Sequence, residues 1–232
     1  MDEPFSLKSS VSLLAFRYLF DWKYYIEHNP DLAEHQIDNE ARAISHWILA
    51  GRAEKRSCGL KGLEVGGSAQ NDFFLDTLNL DRTSKADDYY KREEVRVCGK
   101  YMPVNVVAEG DVLPFPDRSF DYVLTSHVIE HFFDPITAIL EWARVARKCL
   151  FMIVPHKERT FDNVRPVTTV DELIARHEQR TRPARSEDHY SVWTPSAFVE
   201  LITYMRLPIL ECRPVDDKRG NGFTVVTGVE PA

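Results

Sequence analysis

The run Cys149-Leu150-Phe151-Met152-Ile153-Val154 is apolar at every position. A strand with one wet face would alternate, so this one belongs at the centre of a sheet covered on both faces. It is far too short to span a membrane. Just upstream, Asp134-Pro135 supplies an N-cap and a proline at the first helical position. The helix that follows is expected to bury Ile136, Ile139, Leu140 and Ala143, with Trp142 beside the stripe. A helix feeding a fully covered strand is the unit of a parallel sheet. Leu63-Glu64-Val65, Thr77 to Leu80, Val104 to Ala108 and Phe120 to Thr125 read as further strands. Thr169 and Glu172 form a capping box. Thr194-Pro195 opens a helix carrying Phe198, Leu201, Ile202 and Met205. Ile209 to Val215, a turn at Gly220-Asn221-Gly222 and Phe223 to Val229 predict a closing antiparallel hairpin. The expected fold class is α/β, a mostly parallel sheet with a C-terminal antiparallel hairpin.

Residues 1–58 follow a different pattern and are expected to form a small helical module ahead of a main domain at 59–232. Asp21 caps a helix through Trp22, Tyr24, Tyr25 and Ile26, stopped by Asn29-Pro30. Asp38 caps a second in which Ile44, Trp47 and Ile48 recur, and Gly51 stands where a left-handed cap is wanted. Two such helices bury little by themselves, so Trp22, Tyr25, Trp47 and Ile48 are expected to pack on the main domain or on a partner.

The net charge of −7 disfavours bulk nucleic acid and anionic membranes as partners. Asp2 and Glu3 stand where a signal peptide would carry positive charge. A soluble, cytoplasmic protein without a membrane span is expected. The four cysteines, Cys58, Cys98, Cys149 and Cys212, have neither CxxC nor zinc-finger spacing and read as isolated thiols.

Residues able to do chemistry collect at strand ends. Glu64-Val65-Gly66-Gly67-Ser68-Ala69 is an acidic strand running into a small-residue turn, where a ligand can approach the backbone closely. Asp81 ends the next strand, where a carboxylate can accept from both ribose hydroxyls of an adenosyl group. Of eight histidines, His127 and His156 follow the fourth and fifth strands, and His189 lies in the polar segment Ser186-Glu187-Asp188-His189-Tyr190. A neutral imidazole near pH 7 suits removal of a proton from an alcohol. His127 is the first candidate for that role, His156 the second and His189 the third. Arg159 and Arg165 are candidates to hold an acceptor phosphate or carboxylate, or to form structural ion pairs. No spacing fixes a metal site.

Two segments carry a family resemblance: Glu109-Gly110-Asp111-Val112-Leu113-Pro114-Phe115-Pro116-Asp117-Arg118-Ser119-Phe120-Asp121 and Ser126-His127-Val128-Ile129-Glu130-His131-Phe132-Phe133-Asp134-Pro135. From about Gly59 to Val229 the chain resembles class I S-adenosylmethionine-dependent methyltransferases of the type 11 kind, with a Rossmann-like sheet. The resemblance implies S-adenosyl-L-methionine as cofactor. It places Glu64, Gly66, Gly67 and Ser68 around the methionine moiety, Asp81 on the ribose, and Asp111 and Val112 on the adenine. Ser126 and His127 would face the sulfonium and acceptor, and Glu130-His131 would be architectural. The family's E/D-x-G-x-G-x-G has here become Glu64-x-Gly66-x-Ser68-x-Gln70, and little room is left for a helix between the first two strands. A subgroup found with surface-polysaccharide genes has a similar clipped loop. It also resembles this chain in Pro155-His156, Thr160-Phe161-Asp162, Arg165-Pro166 and Thr168-Thr169. That match implies O-methylation of a sugar hydroxyl on a glycan or activated precursor. Phe20 to Leu32, with His46-Trp47 and Gly51-Arg52, resembles a module attached to polysaccharide glycosyltransferases, which implies a glycosyltransferase partner beside the glycan or small-molecule acceptor. The alternatives are methylation of another small metabolite, or a non-catalytic glycan- or partner-binding module with a degenerate fold.

Overall fold

The computed structural model describes residues 11–181, 183 and 188–230. Asp2, Glu3, Ser186 and Glu187 lie outside the described residues. Seven strands, β1 (Gly62–Val65), β2 (Thr77–Asp81), β3 (Val106–Val107), β4 (Phe120–Ser126), β5 (Ala146–Pro155), β6 (Ile209–Arg213) and β7 (Gly222–Gly228), form one sheet. Their order is β3-β2-β1-β4-β5-β7-β6, parallel except for β7, which runs antiparallel to both its neighbours. The expected fold class is therefore the observed one. Val65 pairs with Leu80 on one side and Thr125 on the other, so β1, β2 and β4 end together. The strand order reverses at β1, and ligands of open α/β sheets bind at that edge.

Strict alternation along β5 divides the core. Leu150, Met152 and Val154 face one layer, while Cys149, Phe151 and Ile153 face the other. The first layer is covered by α5 (Pro135–Val145), α6 (Val170–Gln179) and α7 (Pro195–Tyr204). Asp134 caps α5 by accepting from the Thr137 amide at 3.0 Å, and Thr194 caps α7. The buried arc of α5 runs through Ile136, Ala138, Ile139, Trp142 and Val145. Leu140 falls beyond that arc and is 48% exposed, contrary to expectation, while Trp142 is buried and donates to the Gly110 carbonyl at 2.8 Å.

The other layer is built by the N-terminal helices α1 (Leu13–Leu19), α2 (Trp22–Glu27) and α3 (Glu40–His46). Between β1 and β2 there is only a single 3₁₀ turn, Ala69–Asn71. Phe16, Leu19, Tyr25 and Trp47 cover this face, packing in one cluster with Phe73, Leu124, Phe151 and Val226. Tyr25 and Trp47 are buried as expected; Trp22 and Ile48 are only partly so. The Trp47 indole donates to the Phe74 carbonyl at 2.6 Å, and Ser12 Oγ donates to Asp217 at 2.6 Å. Two caps differ from the sequence reading. Asn39, not Asp38, accepts from the Arg42 amide. Gly51 is no left-handed cap, because α3 continues into a π turn over Trp47–Gly51. Glycine is required there for space: a Cβ would meet the Tyr25 hydroxyl at 2.2 Å.

The third strand is shorter than expected. The Asn105 side chain, rather than a backbone carbonyl, accepts from the Asn79 amide at 2.8 Å, so regular pairing starts only at Val106. Among the described residues no helix is long and apolar enough to cross a membrane.

Candidate active site

A cavity of about 1030 Å³ opens where β1, β2 and β4 end. Gly66, Gly67, Ser68, Asp81, Asp111 and Ser126 line it, together with His127 and His189. Gly66 has φ +70°, and a Cβ there would meet Val128 Cγ2 at 2.7 Å. The clipped loop is fastened from within. The Gly66 amide donates to Leu80 O, Gly67 to Asn79 Oδ1 at 3.0 Å, and Ala69 to Glu94 Oε2 at 3.0 Å. The turn that ordinarily offers its amides to a ligand thus spends these three on the protein itself.

Three residues singled out from the sequence do not line the cavity. Glu64 lies beneath the loop, where its carboxylate accepts from Thr77 Oγ1 at 2.8 Å and burial pushes its pKa up to about 7. Val112 belongs to a turn closed by its amide on Glu109 O, which leaves its side chain 53% exposed. His156 is buried against Phe223; its Nδ1 accepts from the Glu158 amide at 3.1 Å, making it the cap of a short 3₁₀ turn rather than a group open to a substrate. Arg159 and Arg165 are also engaged in the structure. Arg159 donates to Gly220 O, and Arg165 pairs with Asp162 at 2.7 Å. Among the described residues, Arg82, Arg180 and Arg219 are the arginines that line the cavity instead.

At the end of β2, Asp81 Oδ2 meets Lys91 Nζ at 2.9 Å, and the same ammonium meets Glu94 at 3.0 Å. Lys91 is almost wholly buried on α4 (Tyr89–Cys98), so this pair fixes the carboxylate at the end of β2. Nothing in the sequence placed Lys91 beside Asp81. Asp81, Asp111 and the glycine turn after β1 thus line the cavity together.

The other half of the cavity holds imidazoles. His127 directly follows β4, in the left-handed region at φ +54°, with its amide donating to Ile153 O at 2.9 Å. Burial lowers its pKa, opposed by the Asp216 carboxylate. Next to it, Glu130 is only 1% exposed, and neither carboxylate oxygen has a hydrogen-bond partner among the described residues; burial pushes its pKa up to about 8. His189 Nδ1 lies 2.6 Å from Asp162 Oδ2, and its backbone carbonyl accepts from Arg165 at 2.8 Å. His131 packs edge-on against His189, with ring centroids 4.9 Å apart. Glu130 and His131, architectural by resemblance, thus face the cavity.

Residues 61–153, less than half of the chain, match the family model described as a methyltransferase domain. Strand order and cavity position define a Rossmann-like fold, and the match over residues 61–153 supports S-adenosyl-L-methionine as the cofactor. Solved structures similar to the chain include a SAM-dependent methyltransferase from Aquifex aeolicus, with 15% identity, 93% of each chain covered and a TM-score of 0.46. Another is a SAM-dependent methyltransferase from Methanosarcina mazei, with 17% identity, covering 79% of this chain and 99% of that one, TM-score 0.46. A third, from Thermotoga maritima, is described as a possible histamine N-methyltransferase, with 13% identity, 89% and 99% covered and a TM-score of 0.47. No curated protein matches the sequence.

Asp81→Asn keeps the shape beside Lys91 but removes the charge that would accept from the ribose. Hydrogen bonds to charged groups contribute about 1.5–3 kcal/mol, so affinity for S-adenosylhomocysteine is expected to fall at least about tenfold. Calorimetry checks this, and an unchanged affinity would place the ribose elsewhere.

Proposed function

We propose that the protein methylates a hydroxyl group of a sugar, on a glycan or an activated sugar precursor. The observation that carries this reading is the acceptor half of the cavity, where His127, His131 and His189 present hydrogen-bonding imidazoles at the end of β4. An alcohol is a poor nucleophile until its proton is removed, and such groups serve that need. The resemblance to the polysaccharide-associated subgroup adds support. Its segments around Asp162 and Arg165 sit against His189, itself a cavity residue.

S-adenosyl-L-methionine supplies an electrophilic methyl group on a sulfonium. Asp81 would hold the ribose hydroxyls and Asp111 the adenine amino group, with Gly66 to Ser68 beside the methionine end and Ser126 near the reacting centre. Ser126 Oγ accepts from the Asn71 side chain, which orients it. His127 would take the proton from the acceptor hydroxyl as its oxygen becomes nucleophilic, then return it to water. A glycosyltransferase partner remains part of the proposal on the strength of the N-terminal resemblance, as does a cytoplasmic location.

The non-catalytic alternative draws on the loop whose Gly66, Gly67 and Ala69 amides are already bonded. Calorimetry with S-adenosylhomocysteine separates the two, since a pure binding module would show no heat. The direct test incubates the protein with methyl-labelled cofactor and a panel of glycans, nucleotide sugars and non-sugar metabolites. Label is expected on sugar hydroxyls; label only on a non-sugar acceptor would overturn the substrate class.

A further inference from the structure

We propose that Glu130, His131 and His189 form a binding site for a divalent transition-metal cation at the acceptor end of the cavity. Their candidate ligand atoms all lie within 4.8 Å of one another. His131 Nε2 and His189 Nε2 are each 3.8 Å from Glu130 Oε1. Ligand atoms at about 2.0–2.2 Å from a tetrahedral metal are about 3.3–3.6 Å from each other. Closing the site therefore takes only small side-chain rotations.

Two independent features point to a cation. The first is Glu130 itself, a carboxyl only 1% exposed whose two oxygens have no hydrogen-bond partner among the described residues. A buried acceptor without partners carries its full desolvation cost, and a bound cation would offset it. The second is the tautomer of His189. Asp162, buried and paired with Arg165 at 2.7 Å, lies 2.6 Å from Nδ1 and so holds the proton there. That leaves the Nε2 lone pair directed to the Glu130 side. A carboxylate behind a histidine is the usual outer support of a metal ligand, fixing ring orientation and raising basicity.

The donor set of two imidazoles and one carboxylate suits zinc, manganese, iron or cobalt better than magnesium or calcium, which favour all-oxygen sites. Three protein ligands leave a coordination position for a non-protein oxygen, as in catalytic rather than structural sites. All three line the cavity, so an acceptor hydroxyl is the natural occupant of that position; this clause alone rests on the proposed methyl transfer.

The test uses metal-stripped full-length protein dialysed against zinc chloride and, separately, manganese chloride, without acceptor. A Cys98→Ser, Cys212→Ser background removes the two thiols that are not buried. One bound metal per chain is expected, with the dissociation constant raised at least about tenfold in both Glu130→Gln and His131→Ala. Thermal unfolding of the same samples reports whether each variant keeps its fold, and affinity for S-adenosylhomocysteine is measured beside it. No metal bound by the parent protein, or equal affinity in both folded variants, overturns the site. Metal binding without any cofactor binding would instead leave the site standing and remove the methyl-transfer reading.

Discussion

A chain lacking residues 1–52 is expected to lose its cooperative thermal transition and to aggregate. The helices removed supply Ala15, Phe16, Leu19, Phe20, Tyr25, Leu32 and Trp47, each no more than 4% exposed. Burying a large apolar side chain stabilises by about 1.5–3 kcal/mol. Six of these seven are large, so their removal takes away a major part of the apolar burial on this face of the sheet. The face left open, with Phe73, Leu75, Leu124, Phe151 and Val226, would be a large contiguous apolar patch. Differential scanning calorimetry and light scattering check this. A truncated chain with the parent's melting temperature and a single monomeric species would show that these helices are an independent appendage.

The physical reason lies in the clipped connection between β1 and β2. A doubly wound sheet needs a layer on both faces, and here a 3₁₀ turn stands where a crossover helix would otherwise contribute. The N-terminal helices fill that layer. The shortness of the connection was legible in the sequence, as was the aromatic character of residues 20–48. Their spatial relation was not, because amphipathic periodicity states that a face is buried but not against what.

The site divides in the same way. Strand ends and their acids were legible because the strands alternate with capped helices in a fixed order, which brings Asp81, Asp111, Ser126 and His127 to one edge. Contacts between distant segments were not. His189 meets Asp162 across 27 residues, and Lys91 reaches Asp81 from α4. His156 follows the fifth strand as expected, yet its ring turns inward to Phe223, because β7 pairs with β5 as far as Pro155. Sequence position fixes where a backbone ends; side-chain direction depends on what packs beside it.

Replacing His127 by asparagine is expected to slow methyl transfer by about 10²–10⁴-fold, the usual loss when a general base is removed. Asparagine is the informative substitution. His127 sits at φ +54°, in the left-handed region that asparagine tolerates far better than alanine. The variant therefore keeps the backbone that links β4 to the following 3₁₀ turn at Ile129–His131. It also keeps a polar side chain of similar reach, but cannot take a proton near neutral pH. Single-turnover rates with saturating cofactor isolate the chemical step, and calorimetry with S-adenosylhomocysteine reports whether the cofactor half is intact. A loss confined to rate, with affinity unchanged, is the result expected of a base, since Asp81 and Asp111 lie on other strand ends. A parallel loss of affinity would assign His127 to shaping the cavity instead. His156→Asn supplies the contrast: its ring caps a turn away from the cavity, so it is expected to lower melting temperature with little effect on single-turnover rate. If His127→Asn slows transfer by less than tenfold while His156→Asn slows it more, the proton leaves by another route and the assignment of the base to the end of β4 is wrong.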